Sequence, residues 1–506
     1  MPPSVGPTAA LPVCAIAFVV GGASLGTEIA AARLLAPYFG ASTIIWANTI
    51  ATILVALSIG YAVGGHLADR RADLRGLCAI VMVAALALAV VPFVADPFLH
   101  LSVTALGSLS VGGFLGSLVA VLVLVAVPVV LLGMVAPYAS RLIVRRITET
   151  GRTIGNLYAI STMGSLVGTF LAALVLIPFV GTHRTFLIFA LSLAVVGAVG
   201  YGGPRPWLVP VAIAASLAIP PAAIGAGVAG GRIIDSVESE YQYARVEQFP
   251  DGTRWLQLNE GEAIHSLYRP GSYLTGGYWD DFLVLPFAAG AHQPPRRIAI
   301  LGDAAGTVAR AYGHFFPRTR VDAVELDGAL TGIGRRYFHL SGPRLHTYTA
   351  DARPWLEASR AHYSSIFLDA YRQPYIPFYL VTREFFALVR SHLSPGGTLI
   401  VNVGHLPNSS TLERVVTATL RTSFEHVIRD RLNSDNTLLV ASQVPLSNAA
   451  VDSPAVRLPP ALYGLQAAVA QRLSPALDGG TVYTDDRSPV EWLTDLSILR
   501  YAGGQR

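Results

Sequence analysis

Small and acidic residues follow four apolar segments in the second half of the chain. The stretch "AILGDAAGTVARAY" (299–312) breaks after a strand-like run into a turn that carries Gly302, Asp303 and Gly306. The next three strand-like runs end in acidic residues, namely Glu325, Asp351 and Asp369. Glycines let a backbone approach a ligand closely, and Glu325 stands at roughly the spacing at which a carboxylate hydrogen-bonds a ribose. The pattern therefore predicts a nucleotide-like ligand site.

The stretch "IFLDAY" predicts the reactive end of that site. Asp369 and Tyr371 stand just past a buried strand, which would fix the direction in which they point. A carboxylate in such a place is suited to accept a proton from an attacking nucleophile. We therefore expect Asp369 and Tyr371 to line the reacting end of the pocket, with Asp369 as the general base.

The elements that must position these residues alternate between strand and helix. After Pro294 and Pro295, five strand-like runs are separated by helical stretches: "RRIAILG", "TRVDAVELD", "RLHTYTAD", "YSSIFLDAY" and "GTLIVNVG". This alternation is typical of a doubly wound α/β sheet, which binds ligands beyond the carboxyl ends of its strands. Residues 294–506 are expected to form this Rossmann-like domain, and residues 232–293 a small β-hairpin region before it.

The first half of the chain has a different composition. Residues 1–231 hold 10 Arg and 5 Asp or Glu, whereas residues 232–506 hold 26 Arg and 27 Asp or Glu. Apolar runs of about 20 residues predict membrane spans. Seven are expected, at 11–36, 43–66, 77–96, 112–138, 153–179, 185–202 and 207–229. The chain is therefore predicted to be a multi-pass plasma-membrane protein whose transmembrane domain covers residues 1–231.

Arginines predict the orientation of these spans. They cluster in two loops, at 70–75 and at 141–152, which the positive-inside bias places in the cytoplasm together with the N-terminus. Seven spans would then put residues 232–506 outside the cytoplasm. Glu28 lies within the first span, where a carboxylate is costly and is by default a functional residue. A buried structural hydrogen bond is the alternative for Glu28.

Several classes of site are excluded by composition. The chain has no lysine, so it has neither a Schiff-base lysine nor a P-loop lysine. Its two cysteines lie in apolar segments of the first half, so no thiolate metal site is expected, and no metal is predicted at all. The formal charge of +4 comes from membrane-flanking arginines, so a nucleic-acid partner is not expected either.

Residues 232–506 resemble the spermidine synthase (aminopropyltransferase) branch of the class I methyltransferase-like fold. The resemblance rests on "EYQYARV", "GYWDDFLVLPF", "ILGDAAGTVAR", "VDAVELD", "TADARPWL", "IFLDAY" and "VYTDDRSPVEWL". The whole chain resembles bacterial proteins in which a transporter-like membrane domain is fused to that fold. "GGHLADRR" (64–71) is also similar to a loop of major-facilitator transporters.

The resemblance implies roles for individual residues. It implies S-adenosylmethionine or its decarboxylated form as the cofactor, with Gln242 as a cofactor contact, Glu325 as the ribose ligand and Asp351 as the adenine ligand. Asp369 matches the first carboxylate of the family's catalytic loop. Tyr278 matches a substrate-site tyrosine, and His265 stands roughly where the family has a glutamine, with one extra residue before it.

Two departures from the family pattern concern substrate recognition. The cofactor loop "GDAAG" is one residue short, and the family's aspartate for the cofactor ammonium falls on Ala304, so that Asp303 is the candidate substitute. The second aspartate of the catalytic loop falls on Arg372, and a cation there repels a polyamine. These departures argue against ordinary spermidine synthesis and predict a neutral or anionic acceptor.

Two functions remain open. The first is a membrane-bound, spermidine synthase-like group transferase whose small-molecule acceptor is not a simple diamine. The alternative is a transporter or lipid-handling protein with a non-catalytic ligand-binding domain, or a catalytically inactive scaffold.

Asp485 has two possible roles. It either caps a helix, or it replaces the missing substrate carboxylate from a tail folded over the pocket. The lipid bilayer is an expected partner, and a homodimer is left open.

Overall fold

A computed structural model describes residues 10–39, 43–70, 72–106, 112–144, 150–219, 231–239, 241–259, 263–371, 376–405, 409–432, 435–490 and 493. The chain divides into two compact units, Met1–Ala226 and Gly227–Arg506. Each unit is described by itself below. The first contains only helices in its described residues, and the second contains two β-sheets with flanking helices.

Long apolar helices make up the first unit. Its described helices are α1 (Ala10–Phe39), α2 (Thr43–Arg70), α3 (Leu74–Leu106), α4 (Gly112–Val121), α5 (Val127–Ile143), α6 (Thr150–Leu171), α7 (Ile177–Val180), α8 (Thr182–Tyr201) and α9 (Leu208–Ser216). A helix satisfies all its backbone polar groups internally, so it is the form that an apolar run of this length takes in a bilayer.

Six of the seven spans expected from the sequence correspond to described helices that are long and apolar enough to cross a membrane. They are Leu11–Ala36, Trp46–Arg70, Leu74–Ala95, Ser117–Ile143, Thr150–Val180 and Thr182–Tyr201. The fourth and fifth each join two α-helices through a turn of π-helix, at Leu122–Ala126 and at Ala172–Leu176. A proline follows each π turn within two residues, and a residue without an N–H removes one α-helical hydrogen bond there.

The seventh span, expected at 207–229, is not confirmed. The described helix α9 has 9 residues. At 1.5 Å per residue that is about 13 Å, against about 30 Å for the apolar core of a bilayer. Residues 220–230 lie outside the part of the chain that the structure describes. The extracytoplasmic placement of residues 232–506 depends on this span and therefore stays a prediction.

The second unit begins with a small antiparallel sheet. Its strands are β1 (Arg232–Glu238), β2 (Tyr243–Gln248), β3 (Arg254–Leu258) and β4 (Ile264–Tyr268), paired in that order. Alternate residues such as Ala244, Val246 and Leu256 are buried. They pack against Leu330 and Ile333 on a helix of the larger sheet, so the small sheet covers that side of it.

An eight-stranded mixed sheet forms the body of the second unit. Its strands are β5 (Arg297–Leu301), β6 (Arg320–Glu325), β7 (Leu345–Thr349), β8 (Tyr363–Leu368), β9 (Leu393–Gly404), β10 (His426–Arg431), β11 (Asn436–Ser442) and β12 (Ser474–Pro475). The spatial order is β12-β10-β11-β9-β8-β5-β6-β7. Strands β5 to β9 pair in parallel, and β10, β11 and β12 add antiparallel pairs at one edge.

Helices connect these strands and cover the sheet. They are α10 (Thr307–Phe315), α11 (Gly328–Tyr337), α12 (Ala352–Ala358), α13 (Arg383–Ser391), α14 (Thr411–Leu420), α15 (Asn448–Val451) and α16 (Tyr463–Arg472). The chain runs from β5 outward to β7 and then returns to β8 on the other side of β5. This reversal opens a crevice at the carboxyl ends of β5 and β8, which is where such sheets bind ligands. The doubly wound α/β architecture expected from the sequence is therefore confirmed.

Candidate ligand and reaction site

Two glycines shape the turn that follows β5. Gly302 has φ +90° and Gly306 has φ +88°, a region that residues with a side chain rarely adopt. A Cβ on Gly302 would lie 2.5 Å from the carbonyl oxygen of Asp369, and a Cβ on Gly306 would overlap Leu340. Both positions of the expected cofactor loop therefore require glycine.

The same turn holds Glu325 in place. Ala304 has φ +46°, an unusual left-handed conformation for alanine, and its N–H donates to Oε2 of Glu325 at 2.8 Å. The N–H of Asp327 donates to Oε1 of Glu325 at 3.0 Å. Burial raises the pKa of Glu325 to about 7, although these backbone donors lower it. Glu325 is thus fixed at the end of β6, as a ribose ligand would have to be.

Asp303 is the most isolated carboxyl of the site. Its side chain is 7% exposed, and its Oδ1 has no hydrogen-bond partner among the described residues. Burial raises the pKa of Asp303 well above its usual value, and the nearby charges of Glu325 and Asp369 add to that rise. A buried carboxyl oxygen without a partner is costly, so Oδ1 of Asp303 favours a ligand group that can donate a hydrogen bond or carry positive charge.

Asp369 at the end of β8 is held by two donors. Asn402 Nδ2 donates to its Oδ1 at 2.8 Å, and the hydroxyl of Tyr278 donates to its Oδ2 at 3.1 Å. Burial raises the pKa of Asp369 to about 7, and the two hydrogen bonds oppose that rise. A carboxyl with a pKa near neutrality is well matched to accepting a proton in a reaction.

Asn402 and its neighbour were missed in the sequence. Asn436 Nδ2 donates to Oδ1 of Asn402 at 2.9 Å, which leaves the amide of Asn402 to donate to Asp369. Asn402 is 3% exposed and follows the apolar run 399–401 near the end of β9. A buried polar residue in such a strand needs a partner, and this signal could have identified it.

Tyr278 is the first residue of a 3₁₀ turn, Tyr278–Leu283. A buried network of ion pairs connects this turn to the antiparallel edge of the sheet. Arg472 donates to Asp281 at 2.9 Å and to Asp430 at 2.8 Å, and both acids are almost fully buried. Burial and the proximity of Asp430 raise the pKa of Asp281. The turn is therefore anchored, and the hydroxyl of Tyr278 is held at Asp369.

Tyr371 contacts the backbone of β9. Its hydroxyl donates to the carbonyl of Asn402 at 3.0 Å and accepts from the N–H of Gly404. Both contacts fix the chain just after Asp369. A direct part in chemistry would require breaking them, and the catalytic role expected for Tyr371 stays a prediction.

Gln242 joins the small sheet to the end of β6. Its Nε2 lies 3.5 Å from Oδ2 of Asp327, and Ser239 Oγ donates to the same oxygen at 2.6 Å. Asp327 also caps α11 by accepting from the N–H of Ala329 at 3.0 Å. Asp327 and Ser239, which the sequence did not single out, therefore hold the expected cofactor contact Gln242 close to Glu325.

Asp351 and Asp485 both accept hydrogen bonds from Arg353 at the start of α12. Asp351 accepts from the N–H of Arg353 at 3.0 Å and from the hydroxyl of Tyr379 at 2.6 Å. Asp485 accepts two hydrogen bonds from Arg353, at 2.8 and 2.6 Å, and one from Thr382 at 2.7 Å. The tail that carries Asp485 is therefore fastened to α12. Its substitution for a missing substrate carboxylate stays a prediction.

His265 lies in a bulge of β4. The pairing with β3 shifts between Ser266 and Ile264, so the bulge leaves His265 without a paired residue on β3. Its ring is half-buried, its Nδ1 lies 3.1 Å from the carbonyl oxygen of Ala263, and burial lowers its pKa to about 4. His265 is therefore neutral near pH 7. Arg372, the other expected substrate residue, lies outside the described residues.

Asp303, Glu325 and Asp369 together form what we call the acidic cluster. No arginine forms an ion pair with any of the three in the described part of the chain. No group of three or more potential metal ligands occurs among the described residues.

In the first unit, Glu28 is half-buried on α1 beside Thr27, whose buried Oγ1 has no described partner. The role of Glu28 stays a prediction.

Comparison with known proteins adds an independent finding. A probable polyamine aminopropyl transferase of Bifidobacterium longum is 36% identical over 166 residues, which are 33% of this chain and 36% of that protein. Polyamine aminopropyltransferase 2 of Streptomyces coelicolor is 27% identical over 380 residues, which cover 69% of this chain and 66% of that protein. The chain's homologues are therefore polyamine aminopropyltransferases, and the second alignment is longer than the second unit alone.

The matches are partial in length. The chain spans between about a third and just over half of the first three relatives, at 36%, 38% and 56% of their lengths. A probable spermidine synthase of Corynebacterium glutamicum, known from its crystal structure, is 20% identical, with a TM-score of 0.39 over 56% of this chain and 96% of that one. No family model matches the chain.

Proposed function

We propose that the protein is a membrane-bound, spermidine synthase-like transferase that uses decarboxylated S-adenosylmethionine in preference to S-adenosylmethionine. The observation that carries the proposal is the acidic cluster without a described cation. Decarboxylated S-adenosylmethionine has a sulfonium and an ammonium and no carboxylate, so it supplies the missing positive charge. In this assignment Gln242, Glu325 and Asp351 hold the nucleoside, and Asp303 accepts a hydrogen bond from the ammonium.

Electrostatics explains the expected preference. The carboxylate of S-adenosylmethionine would lie beside Asp303, Glu325 and Asp369, and each of these that is ionised would repel it, since like charges about 4 Å apart repel by about 4 kcal/mol at an effective dielectric constant of about 20. The names of the homologues agree with transfer of an aminopropyl group. The same site would bind S-adenosylmethionine only with that electrostatic penalty.

The transfer itself balances with the groups present. The acceptor's neutral nitrogen attacks the carbon next to sulfur, a C–N bond forms, and the C–S bond breaks with its electron pair left on sulfur. The acceptor's proton passes to Asp369, whose pKa of about 7 leaves it about half ionised at neutrality. Tyr278 and Asn402 hold the carboxylate in the direction of the acceptor.

The acceptor is proposed to be other than a simple diamine. This part of the proposal rests on the sequence, because Arg372 stands where the family has its second carboxylate. Arginine binds carboxylate or phosphate through paired donors and repels a second ammonium. An amine whose far end is neutral or anionic fits this residue better than putrescine does.

Calorimetry on the full-length protein in detergent tests the ligand assignment. The decarboxylated compound is expected to bind at least about tenfold more tightly than S-adenosylmethionine, equivalent to at least about 1.4 kcal/mol. Asp303→Asn should remove most of that preference, and Asp452→Asn, which removes an exposed carboxylate elsewhere, should not. Equal affinities, or tighter binding of S-adenosylmethionine, would contradict the proposal.

Product analysis separates the two functions that the sequence left open. Release of the nucleoside thioether in the presence of an amine supports a transferase, and saturable spermidine formation from putrescine would refute the acceptor class. Tight binding without release of thioether from any amine tested would favour the alternative, a transporter or lipid-handling protein with a non-catalytic binding domain.

The side of the membrane on which the second unit lies depends on the number of spans. With the N-terminus in the cytoplasm, a seventh span within 207–229 would place the unit outside the cytoplasm, whereas six spans would return it to the cytoplasm, where adenosyl compounds are made. For the seven-span arrangement we expect an alkaline phosphatase fused after Arg506 to be active and a fluorescent reporter there to be dark. Cytoplasmic fluorescence with inactive phosphatase would overturn that arrangement.

A further inference from the structure

The six spanning helices of the first unit pack as two equivalent triplets. The span formed by α1 packs on the one begun by α6, and the span formed by α2 packs on α5. A Cβ on Gly22 would lie 3.1 Å from the carbonyl oxygen of Gly164, and a Cβ on Gly133 would lie 3.3 Å from the Cα of Gly60. The third span, in α3, packs on the sixth, α8. Exchanging spans one to three with spans four to six leaves this pattern unchanged.

Sequence echoes agree with the exchange. "ALALAVV" (85–91) in α3 matches "ALSLAVV" (190–196) in α8. The glycine pair 60 and 64 in α2 has the same spacing as the pair 164 and 168 in α6. Because each triplet has an odd number of spans, the second enters the membrane from the opposite side. This pattern is the one expected of an inverted repeat, in which the two halves are related by a pseudo-two-fold axis in the membrane plane.

The exchange relates α2 to α6, and these two helices are the least covered of the spans. Buried residues make up 28% of the span in α2 and 22% of the span begun by α6, whereas the other four spans are between 50% and 56% buried. Each helix of this equivalent pair thus has a broad face that the rest of the described first unit leaves uncovered.

The exposed side chains of this face differ from those that face lipid elsewhere. On α3 and α8 the strongly exposed residues at the core of the span are apolar: Val83, Leu86, Val90, Val195 and Val199. On α2 and α6 exposed apolar residues such as Leu54 and Phe170 are accompanied by exposed polar ones: Ser58, Tyr61, His66, Asn156, Tyr158 and Thr162. Polar side chains within membrane spans usually face protein or water, so lipid is the less suitable neighbour for the α2 and α6 face.

The two stripes on this face match in order and in depth. From the end of α2 at Arg70, the stripe reads Asp69, Gly65, Tyr61 and Ser58. From the start of α6 at Thr150, it reads Arg152, Gly155, Tyr158 and Thr162. Positions are counted from Arg70 for one stripe and from Thr150 for the other. Counterparts in the two stripes then differ by at most about one residue, which is about 1.5 Å along the helix. At matching depths an acid corresponds to a base, glycine to glycine and tyrosine to tyrosine, and Tyr61 and Tyr158 also interact electrostatically within one chain.

We propose that a second copy of this chain covers the face, with α2 of each copy against α6 of the other. Two copies inserted in the same orientation are related by a two-fold axis along the membrane normal, which brings these stripes together twice in an isologous interface. A Cβ on Gly65 or Gly155 would meet nothing within 4 Å among the described residues of its own chain, so the two backbones can approach closely there. Asp69 and Arg152 are both exposed, and Asp69, which lies 3.6 Å from Arg141 of its own chain, would also pair with Arg152 across the interface.

Mixed cysteine cross-linking tests this arrangement. One population of chains carries Gly65→Cys and another carries Gly155→Cys, each with Cys14→Ala and Cys78→Ala, and the two are co-expressed. Each chain then has one thiol, so an intramolecular disulfide cannot form. A covalent dimer is expected from the mixture under mild oxidation, because a disulfide needs Cα atoms about 4.4–6.8 Å apart.

Controls decide between this interface and chance collisions. Leu86→Cys mixed with Val195→Cys places thiols on the face of α3 and α8 and should give no covalent dimer. Gly65→Cys alone should give far less dimer than the mixture, since its own counterpart lies on the other helix. Dimer from the control pair at the same rate would overturn the proposal. A monomeric mass in nanodiscs, or capture of a different protein in place of a second copy, would overturn it too.

Discussion

Replacing Asp369 with asparagine should lower turnover by at least about a hundredfold, which is a typical loss when a general base is removed. The change keeps the shape of the side chain and its place between Tyr278 and Asn402, but it abolishes the basicity. Single-turnover release of the nucleoside thioether measures the effect directly. Binding of the nucleoside should change far less, because that contact depends on Glu325 and Asp351.

Two comparison variants test whether the loss of turnover is specific to the Asp369 carboxylate. Asp452→Asn also removes a carboxylate from the second unit, but on an exposed residue after α15, and it should leave turnover unchanged. Tyr278→Phe removes one hydrogen bond to Asp369 while leaving the carboxylate, so its loss should be smaller than that of Asp369→Asn. Wild-type turnover in Asp369→Asn would show that another group accepts the proton.

The residues at strand ends could be predicted because strand ends are local features of the sequence. Gly302, Glu325 and Asp369 each follow an apolar run directly, and parallel strands bring such ends to one edge of a sheet. No long-range knowledge is needed for that inference. The left-handed conformation of Gly302 and Gly306 follows from the same local pattern of small residues.

The supporting contacts could not be predicted in this way because their partners are far apart in the chain. Tyr278 and Asp369 are 91 residues apart, and Arg353 and Asp485 are 132 residues apart. Apolar periodicity shows which face of an element is buried, but it does not show which distant polar group that face meets. The sequence left Asp485 with two possible roles, a helix cap or a substitute carboxylate. In the structure it accepts hydrogen bonds from Arg353 and Thr382, two partners that the sequence did not indicate.

In the first unit, span length was predictable and span pairing was not. Six apolar runs form helices that are long and apolar enough to cross a membrane, because length and composition can be taken directly from the sequence. The seventh run, at 207–229, is interrupted by Pro220 and Pro221, and a proline pair disfavours a continuous helix. The inverted repeat became visible only when the helix pairs were known, because the sequence echoes are too short to identify it alone.

The pH dependence of ligand binding is the second effect expected to be large. Glu325 and Asp369 both have pKa values raised to about 7 by burial, so both are largely protonated below that pH. A cationic ligand binds best when they are ionised. Affinity for decarboxylated S-adenosylmethionine should therefore fall by at least about tenfold between pH 8 and pH 6, since each required ionisation contributes up to tenfold per pH unit.

The neutral nucleoside thioether that the reaction releases is the matched control. It makes the same adenine and ribose contacts but has neither sulfonium nor ammonium, so its affinity should change little over the same range. Calorimetry at pH 6, 7 and 8 with both compounds separates charge recognition from general loss of the fold. Equal pH dependence for the two compounds would show that the acidic cluster does not act on the ligand's charge.

The same pKa shifts act on stability in the opposite direction to that of an ordinary salt-bridged acid. Because the pKa of Glu325 and of Asp369 is higher in the folded chain than in the unfolded chain, the folded state binds more protons between about pH 4 and pH 7. The free energy of unfolding of the ligand-free protein should therefore decrease as pH rises through that range. A cation in the site offsets this loss, so the rise in melting temperature caused by decarboxylated S-adenosylmethionine should be larger at pH 8 than at pH 6. A rise that is larger at pH 6 would contradict the placement of a cation beside these carboxyls.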